Sequence, residues 1–379
     1  MKFRIVETKN LHMDHLEDYV ILYGQNGIEK FKKVVNGILN QSNNIEYSEK
    51  IDGAPAVFFG KDDNNEFIIG TKSIFNKINK KQAHNIEEIK NYYGHSEELF
   101  NKLSDCYVEF KKLNIPDNTI IQGDLLFTDD KKLKNIKGKT YITFKPNTII
   151  YAVEKGSNIF ESVKNSNVGI VLHTVYKDNR IINGNNVIND ILNNNNSNAF
   201  IINAKHNNLS INTSSEDLEL IKNKLNNLDR YNITNLNSKL ISYLNMFINS
   251  TISKNVDLST FTVNKFINQF EIYLNERMNK EKLTRKTDKG RLNIENKFKF
   301  DLNLNNFKTT ITIFLEMVNI KKLIMKYFKN IKSKLGETYY DSYITTHPEG
   351  FVINYEDGLV KMIDRLNFSR NNKIYSKFK

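Results

Sequence analysis

A chain of 379 residues with 39% hydrophobic side chains, 24 Phe and 18 Tyr excludes a disordered polypeptide and allows one large domain or two medium ones. Its formal charge of +12 suits a polyanionic partner, usually nucleic acid, although the Asn-rich run at 189–198 shows a compositional bias that also inflates lysine. The single cysteine, Cys106, excludes an intramolecular disulfide and a multi-cysteine zinc site.

The start MKFRIVETKN lacks an apolar signal core, and the longest apolar run, TITIFLEMV at 310–318, is interrupted by Glu316. Neither approaches the roughly 18 apolar residues that span a bilayer, so the expectation is no membrane and a reducing, cytoplasmic compartment. Residues up to about 40 read as helical, with Gly24 and Gly27 breaking the pattern. From about 45 to 180 the chain reads as strands: APAVFFG, EFIIGTKS, NTIIQGDLLF, KTYITF, NTIIYAVE and VGIVLHTVY are short β-branched and aromatic runs bounded by turn residues. From about 200 to 335 apolar residues recur at three- and four-residue spacing, as in SSEDLELIKNKLNNL and VNKFINQFEIYLNERM, which predicts helices. After about 340 strands return in GFVINYEDGLVKMID, with EDG as a hairpin turn. This order predicts an α+β body at 1–185 and 339–379, interrupted by a helical insertion at 186–338, with the asparagines at 193–196 marking the first boundary.

Four short stretches carry chemistry. Lys50-Ile51-Asp52-Gly53 reads as a hairpin turn flanked by a solvated lysine, or as an amine nucleophile held rigidly on that turn. Asp124 follows a strand and a glycine in IIQGDLLF, and Glu349 precedes a strand in HPEGFVI. Lys361 lies inside the apolar strand GLVKMID, where a lysine is costly unless its ammonium meets an anion. Each alone is explained by turn carboxylates or an edge-strand lysine. Four in this order, each at or in a strand, favour one site.

Lys50-Ile51-Asp52-Gly53, Gly123-Asp124-Leu125, Glu349-Gly350-Phe351-Val352 and Val360-Lys361-Met362 resemble the ordered motifs of the covalent nucleotidyltransferases: ATP-dependent DNA ligases, RNA ligases and mRNA capping enzymes. The chain is most similar to a ligase-like family of tailed phages, through stretches such as KIDGAPAVFFG, QGDLLFTDDKK, TFKPNTIIYAV and VKMIDRLNFSR within 10–180 and 340–372. The resemblance implies an ATP-grasp-like nucleotidyltransferase domain of antiparallel sheets with helices, interrupted by the all-α insertion. It implies that Lys50 attacks the α-phosphate of ATP to form a lysyl-nucleotide, and that Lys361 contacts that phosphate. Asp124 and Glu349 would hold Mg²⁺ or Mn²⁺ and the ribose, with Asp52, Gly53 and Lys72 beside the nucleotide. Tyr151, with Phe144 in reserve, would stack on the base. The implied partner is a DNA or RNA end in a phage-infected host cytoplasm, with the chain acting as a monomer. Four departures stand out: Pro55 where ligases carry an arginine, the shorter Asp124 where a glutamate is usual, Ile363 where a second lysine is usual, and only 18 residues after Lys361, too few for a C-terminal OB domain. Lys72 and Arg365 are candidates to compensate. The alternatives are a catalytically weak relative that binds nucleic acid or a virion partner, and an RNA guanylyltransferase.

Other features read more plainly. GTKS at 70–73 lacks the glycine spacing of a phosphate loop, His12 and His15 suit structural roles on a helix, His173 suits a core strand, and Cys106 is expected to be inert. The basic block 275–300 carries Arg277, Lys280, Lys282, Arg285, Lys286, Lys289 and Arg291. It reads as a solvated helix face or as a clamp on a phosphate backbone whose binding weakens with salt.

Overall fold

The computed structural model describes residues 13–41, 45–147, 149–178, 180–206, 213–328, 330–340, 343–345, 349–355 and 358–376. β1 (Asp14–His15) leads through α1 (Tyr19–Tyr23) and α2 (Gln25–Leu39) to β2 (Ile45–Glu49). The hairpin β3 (Ala56–Lys61) and β4 (Phe67–Gly70) precedes α3 (Ile86–Tyr93) and α4 (Glu97–Phe110). Then come β5 (Thr119–Phe127), β6 (Lys132–Ile136), β7 (Lys139–Phe144), β8 (Ile150–Glu154), α5 (Phe160–Asn165), β9 (Val168–Lys177) and β10 (Arg180–Ile182). α6 (Asn185–Asn193), β11 (Ala199–Asn203) and β12 (Lys205–His206) lead into α7 (Ser215–Leu228), α8 (Ser238–Ser253), α9 (Val263–Leu283), α10 (Asp288–Phe298) and α11 (Asn305–Phe328). The chain returns in β13 (Glu337–Tyr340), β14 (Tyr343–Thr345), β15 (Gly350–Tyr355), β16 (Gly358–Ile363) and α12 (Arg365–Ser376).

The strands form three mainly antiparallel sheets, ordered β1-β16-β15-β2-β12, β10-β9-β5-β3-β4 with β11 parallel to β9, and β14-β13-β8-β7-β6. In the first sheet, alternation puts Tyr47, Phe351, Ile353, Val360 and Met362 on one face, in one core with Phe31 of α2 and Phe314 and Phe328 of α11. Ring contacts of 6.0 Å from Tyr47 to Phe328 and 5.1 Å from Phe328 to Phe351 join sheet to helices. The second sheet buries Val57, Phe59 and Ile121 against α4 and α6, with Phe59 4.4 Å from Phe110. The third core holds Phe127, Phe144, Tyr151 and Phe200. Among the described residues no helix is long and apolar enough to cross a membrane, and Glu316, which breaks the longest apolar run, pairs with Lys224 of α7 at 2.8 Å.

The α+β body, the helical stretch and the returning strands are all present. The expected EDG hairpin is there in register, Tyr355 opposite Gly358, although residues 356–357 lie outside the described ones. The helical stretch is narrower than 186–338. α6, β11 and β12 belong to the sheets, because Ala199–Asn203 pairs along its whole length with β9 and every residue in it is buried. Nor is the stretch separately cored, since it shares its interior with the first sheet. The strand-rich reading of 45–180 missed α3 and α4. Their starts are capped by Asn85 and Ser96, whose side chains accept from the amides of Glu88 and Leu99. His15 lies in β1 rather than on a helix, and His12 lies outside the described residues.

A buried ion cluster ties the ends of the chain to the helices. Lys321 of α11 donates to Glu17 at 2.7 Å, and Arg365 reaches both Asp18 oxygens at 2.9 and 3.1 Å and Glu17 at 3.4 Å. Burial alone would raise Glu17, but Lys321 and Arg365 hold it down to about 2, while burial carries Asp18 up to about 6 against the pull of Arg365. Replacing Lys321 with methionine should cost about 3–5 kcal/mol, because it strands a buried charge. Glu17 has a depressed folded pKa, so its contribution is present above about pH 4.5 and lost as pH falls toward about 2. Urea unfolding of K321M should therefore show a deficit at pH 7 that shrinks in acid. A constant gap would contradict this assignment.

Candidate active site

Lys50 gets its rigidity from the strand end before it. Glu49 points into the protein, where its carboxylate accepts from Ser333 Oγ, from the Lys334 amide at 2.9 Å and from His206 Nε2 at 3.1 Å. Alternation then sends Ser48 and Lys50 to the opposite face. The Lys50 amide donates to Gly350 O at 2.9 Å, which continues the β2–β15 ladder. Val352 stands opposite both Ser48 and Lys361, so the ammonium of Lys361 shares the face of Lys50.

The Lys50 ammonium donates to Glu349 Oε2 at 2.7 Å, and the Phe368 ring of α12 lies 4.9 Å from it. The Glu349 side chain is only 4% exposed, and its other oxygen, Oε1, is buried with no hydrogen-bond partner. Burial pushes the Glu349 carboxyl up to about 7, an effect that Lys50 opposes without reversing and that Asp52 reinforces. Burial also lowers Lys361, with Lys50 and Arg365 adding like-charge repulsion. Gly350 is required here. Its φ is +152°, and a Cβ would lie 2.5 Å from Met362 O.

The turn after Lys50 is anchored at each step. Ile51 is buried in the third core, and the Asp52 amide donates to Tyr151 Oη at 2.7 Å while Asn147 donates to Asp52 Oδ1 at 3.1 Å. Gly53 permits close approach, because a Cβ there would sit 2.6 Å from Asp124 Cβ. Beyond it the Ala54–Pro55 peptide is cis, Ala54 N–H donates to Leu125 O at 2.9 Å, and Leu125 N–H donates to Pro55 O at 3.0 Å. Asp124, opposite Ala56 in the second sheet, thus packs against the Lys50 turn of the first, and His173 Nε2 lies 3.6 Å from its Oδ2.

The fold therefore gathers Lys50, Asp52, Gly53, Asp124, Glu349 and Lys361, drawn from widely separated segments. Asp52, Asp124 and Glu349 are the carboxylates of that set, and the unpartnered Glu349 Oε1 is an oxygen suited to a divalent cation. Phe144, Tyr151 and Arg365 are engaged elsewhere. Phe144 and Tyr151 are both buried, their rings stacked at 5.7 Å, so Tyr151 serves the Asp52 turn and its ring faces the core. Its hydroxyl lies well above the usual tyrosine range through burial and then the charge of Glu349. Lys72 is exposed in the helical turn Lys72–Phe75, and with Phe58 opposite Gly70 the chain leaves β4 toward the Ala56 end of the sheet. No phosphate loop forms at 70–73. Arg365 is committed to Glu17 and Asp18. Cys106 is fully buried and its thiol is pushed up by burial. The seven basic residues lie on α9, α10 and the link between them.

Phe368, Asn147 and His173 were not read as site residues. His173 is half-buried where β9 stops being covered, so the apolar run VGIVL before it misleads. The aromatic of LNFSR, three residues into a helix that follows the Lys361 strand, was the available signal for Phe368. Away from the cleft, Asp62, Glu66 and His84 offer ligand atoms within 4.8 Å of one another. His84 there meets carboxylates at both ring nitrogens, Glu88 at 3.0 Å and Asp62 at 3.3 Å, an arrangement satisfied by an imidazolium.

The model of DUF6267, described as a family of unknown function, matches residues 10–377. No curated protein and no solved structure matches the chain.

Since the folded pKa of Glu349, about 7, stands above its ordinary value of 4.5, the protonated carboxyl stabilises the fold fully below about pH 4.5. That contribution is lost as pH rises through about 7. Glu349→Gln should flatten the stability–pH curve across this window by up to about 3 kcal/mol. Urea unfolding of both proteins at pH 5 and pH 8 checks it, and parallel curves would refute the assignment.

Proposed function

The chain belongs to the DUF6267 family, and from the chemistry of its cleft we propose that it is an ATP-dependent, ligase-like nucleotidyltransferase acting on polynucleotide ends through a lysyl-AMP intermediate. The observation that carries this reading is the Lys50 amine on a rigid strand end, 2.7 Å from a buried carboxylate and on one face with Lys361. An ATP-grasp-like arrangement, with the nucleotide between the first and second sheets, fits that placement.

In the first step Lys50 Nζ attacks the α-phosphorus of ATP. The Lys50 ammonium first passes one proton to the Glu349 carboxylate beside it; the N–P bond then forms as the P–O bond to pyrophosphate breaks, and the second proton lost from the nitrogen leaves with the pyrophosphate. Lys361 offsets the phosphate charge. Asp124 and Glu349 Oε1 would hold Mg²⁺ or Mn²⁺, which when bound neutralises phosphate charge. The AMP then passes to a 5′-phosphate, and an adjacent 3′-hydroxyl displaces it to seal the strand.

A second reading, a catalytically weak relative that binds nucleic acid or a virion partner, is favoured by one observation: Arg365, the candidate to replace the missing second lysine, is consumed by Glu17 and Asp18. Incubation with α-³²P-labelled ATP and Mg²⁺ separates the two. Acid-labile label on the denatured chain is expected, absent in Lys50→Ala and slowed about 10²–10³-fold in Lys361→Ala. Label with GTP alone would indicate guanylyl transfer instead. No label from either nucleotide on folded protein would overturn the enzymatic reading.

A further inference from the structure

Cations at the far end of the helical stretch fall into two groups. Arg277 lies 6.0 Å from the Tyr243 ring and 5.8 Å from the Tyr273 ring, Lys282 bonds to Glu295, and Arg291 meets Asp288 at 3.4 Å. Lys297 takes Glu281 at 2.6 Å. The carboxylates flanking the turn between α9 and α10 are therefore already paired. Lys280, Arg285, Lys286 and Lys289 are exposed, and among the described residues their side chains have no hydrogen bond or ion pair. Leu283, in their midst, is 88% exposed, so nothing among the described residues covers this corner. Phe270, Leu274, Ile294 and Phe298 turn inward, while Ile272, Leu283 and Leu292 of the same helices stay exposed. What remains outside is an unbalanced positive charge with single apolar side chains among the cations, and charge of that sign and density suits a polyanion.

The corner's distance from the cleft follows from packing. α8 and α9 run antiparallel, with Phe247 against Phe266, Phe270 and Tyr273, and Tyr243 against Arg277. At the other end of α8, Asn249 accepts from Arg365 at 2.7 Å, and one helical turn beyond Arg365 is Phe368, which touches Lys50. Counting from Asn249 to Tyr243 along α8 and from Arg277 to Leu283 at the end of α9, at about 1.5 Å per residue, and adding the start of the link that carries Arg285, separates corner and cleft by about 20 Å. A duplex advances about 3.4 Å per base pair, so that span is about six base pairs.

We propose that the α9–α10 corner, through Lys280, Arg285, Lys286 and Lys289, grips the phosphate backbone of a nucleic-acid duplex whose reacting end lies in the Lys50 cleft, so that only substrates extending about six base pairs or more from that end engage it. The inference rests on the nucleotidyltransferase reading for what occupies the cleft, but binding tests it without nucleotide turnover. Fluorescence anisotropy is measured with nicked and blunt duplexes from about four to about sixteen base pairs in Mg²⁺, without ATP. Affinity is expected to rise once the length passes about six base pairs and then level off. The variant K280Q/R285Q/K286Q/K289Q should lose that rise and lower the slope of log K against log salt by about 3–4 for four contacts. A milder variant, R285Q/K286Q, changes only the link between the helices and should lose about half of that slope. Length dependence and slope unchanged in both variants would overturn the proposal, as would binding of anionic phosphatidylserine vesicles, but not duplexes, through the same residues. Self-labelling with a flat length profile would refute the corner alone. A length profile without self-labelling would uphold the corner and count against the enzymatic reading.

Discussion

The pairing of β2 with β15 is the constraint from which the candidate site follows. Lys50 and Glu349 are 299 residues apart in the chain, and one main-chain hydrogen bond, from Lys50 N–H to Gly350 O, places their side chains within 2.7 Å. Glycine follows Asp52 and Glu349, and each of these glycines is needed for a steric reason: Gly53 lies against Asp124, and Gly350 lies against Met362 with φ in a region closed to other residues. Backbone geometry, more than side-chain attraction, therefore sets the contact. Its energetic consequence is visible in Glu349, whose burial outweighs the attraction of its lysine partner. A carboxyl poised near neutrality beside an amine suits a step in which that amine sheds a proton.

The helical stretch takes part in building this geometry. The sheet that carries Lys50, Glu349 and Lys361 rests on α2 and α11 in one core. As the chain leaves α11, Ser333 and Lys334 bond to the Glu49 carboxylate and Leu335 enters the third core, so the return path of the helices clamps the strand end before Lys50. Arg365 and Lys321 then lock α12 and α11 to the N-terminal turn at Glu17 and Asp18. A stretch that reads as an inserted unit is in this way the support of the sheet that carries the candidate site.

Much of this was legible in the residues, and the failures have identifiable causes. Lys50, Asp124, Glu349 and Lys361 each stood out because charge next to a strand end or a glycine conflicts with simple burial. Tyr151 was misjudged because an aromatic on a strand gives no sign of which face it takes, and here a hydroxyl bonded to the Asp52 amide draws it into the core. β11 was missed because a five-residue apolar run after a string of asparagines carries little local signal, and its strand character comes from pairing with β9. α3 and α4 were passed over although their caps and acidic first turns are plain in the sequence, because the strands on either side dominated the reading.

By itself the sequence determined the local elements and the chemical types: short β-branched runs, amphipathic helices, a lysine on an Asp-Gly turn, and carboxylates beside glycines. These depend on interactions within a few residues, which periodicity and turn chemistry report. Only the tertiary structure decided which of these groups meet. The burial of Glu349, the sharing of one face by Lys50 and Lys361, the diversion of Arg365 into a buried ion cluster and the exposure of the α9–α10 corner all depend on contacts between distant segments. Such contacts are set by strand register and by a shared core, neither of which leaves a local trace in the order of the residues.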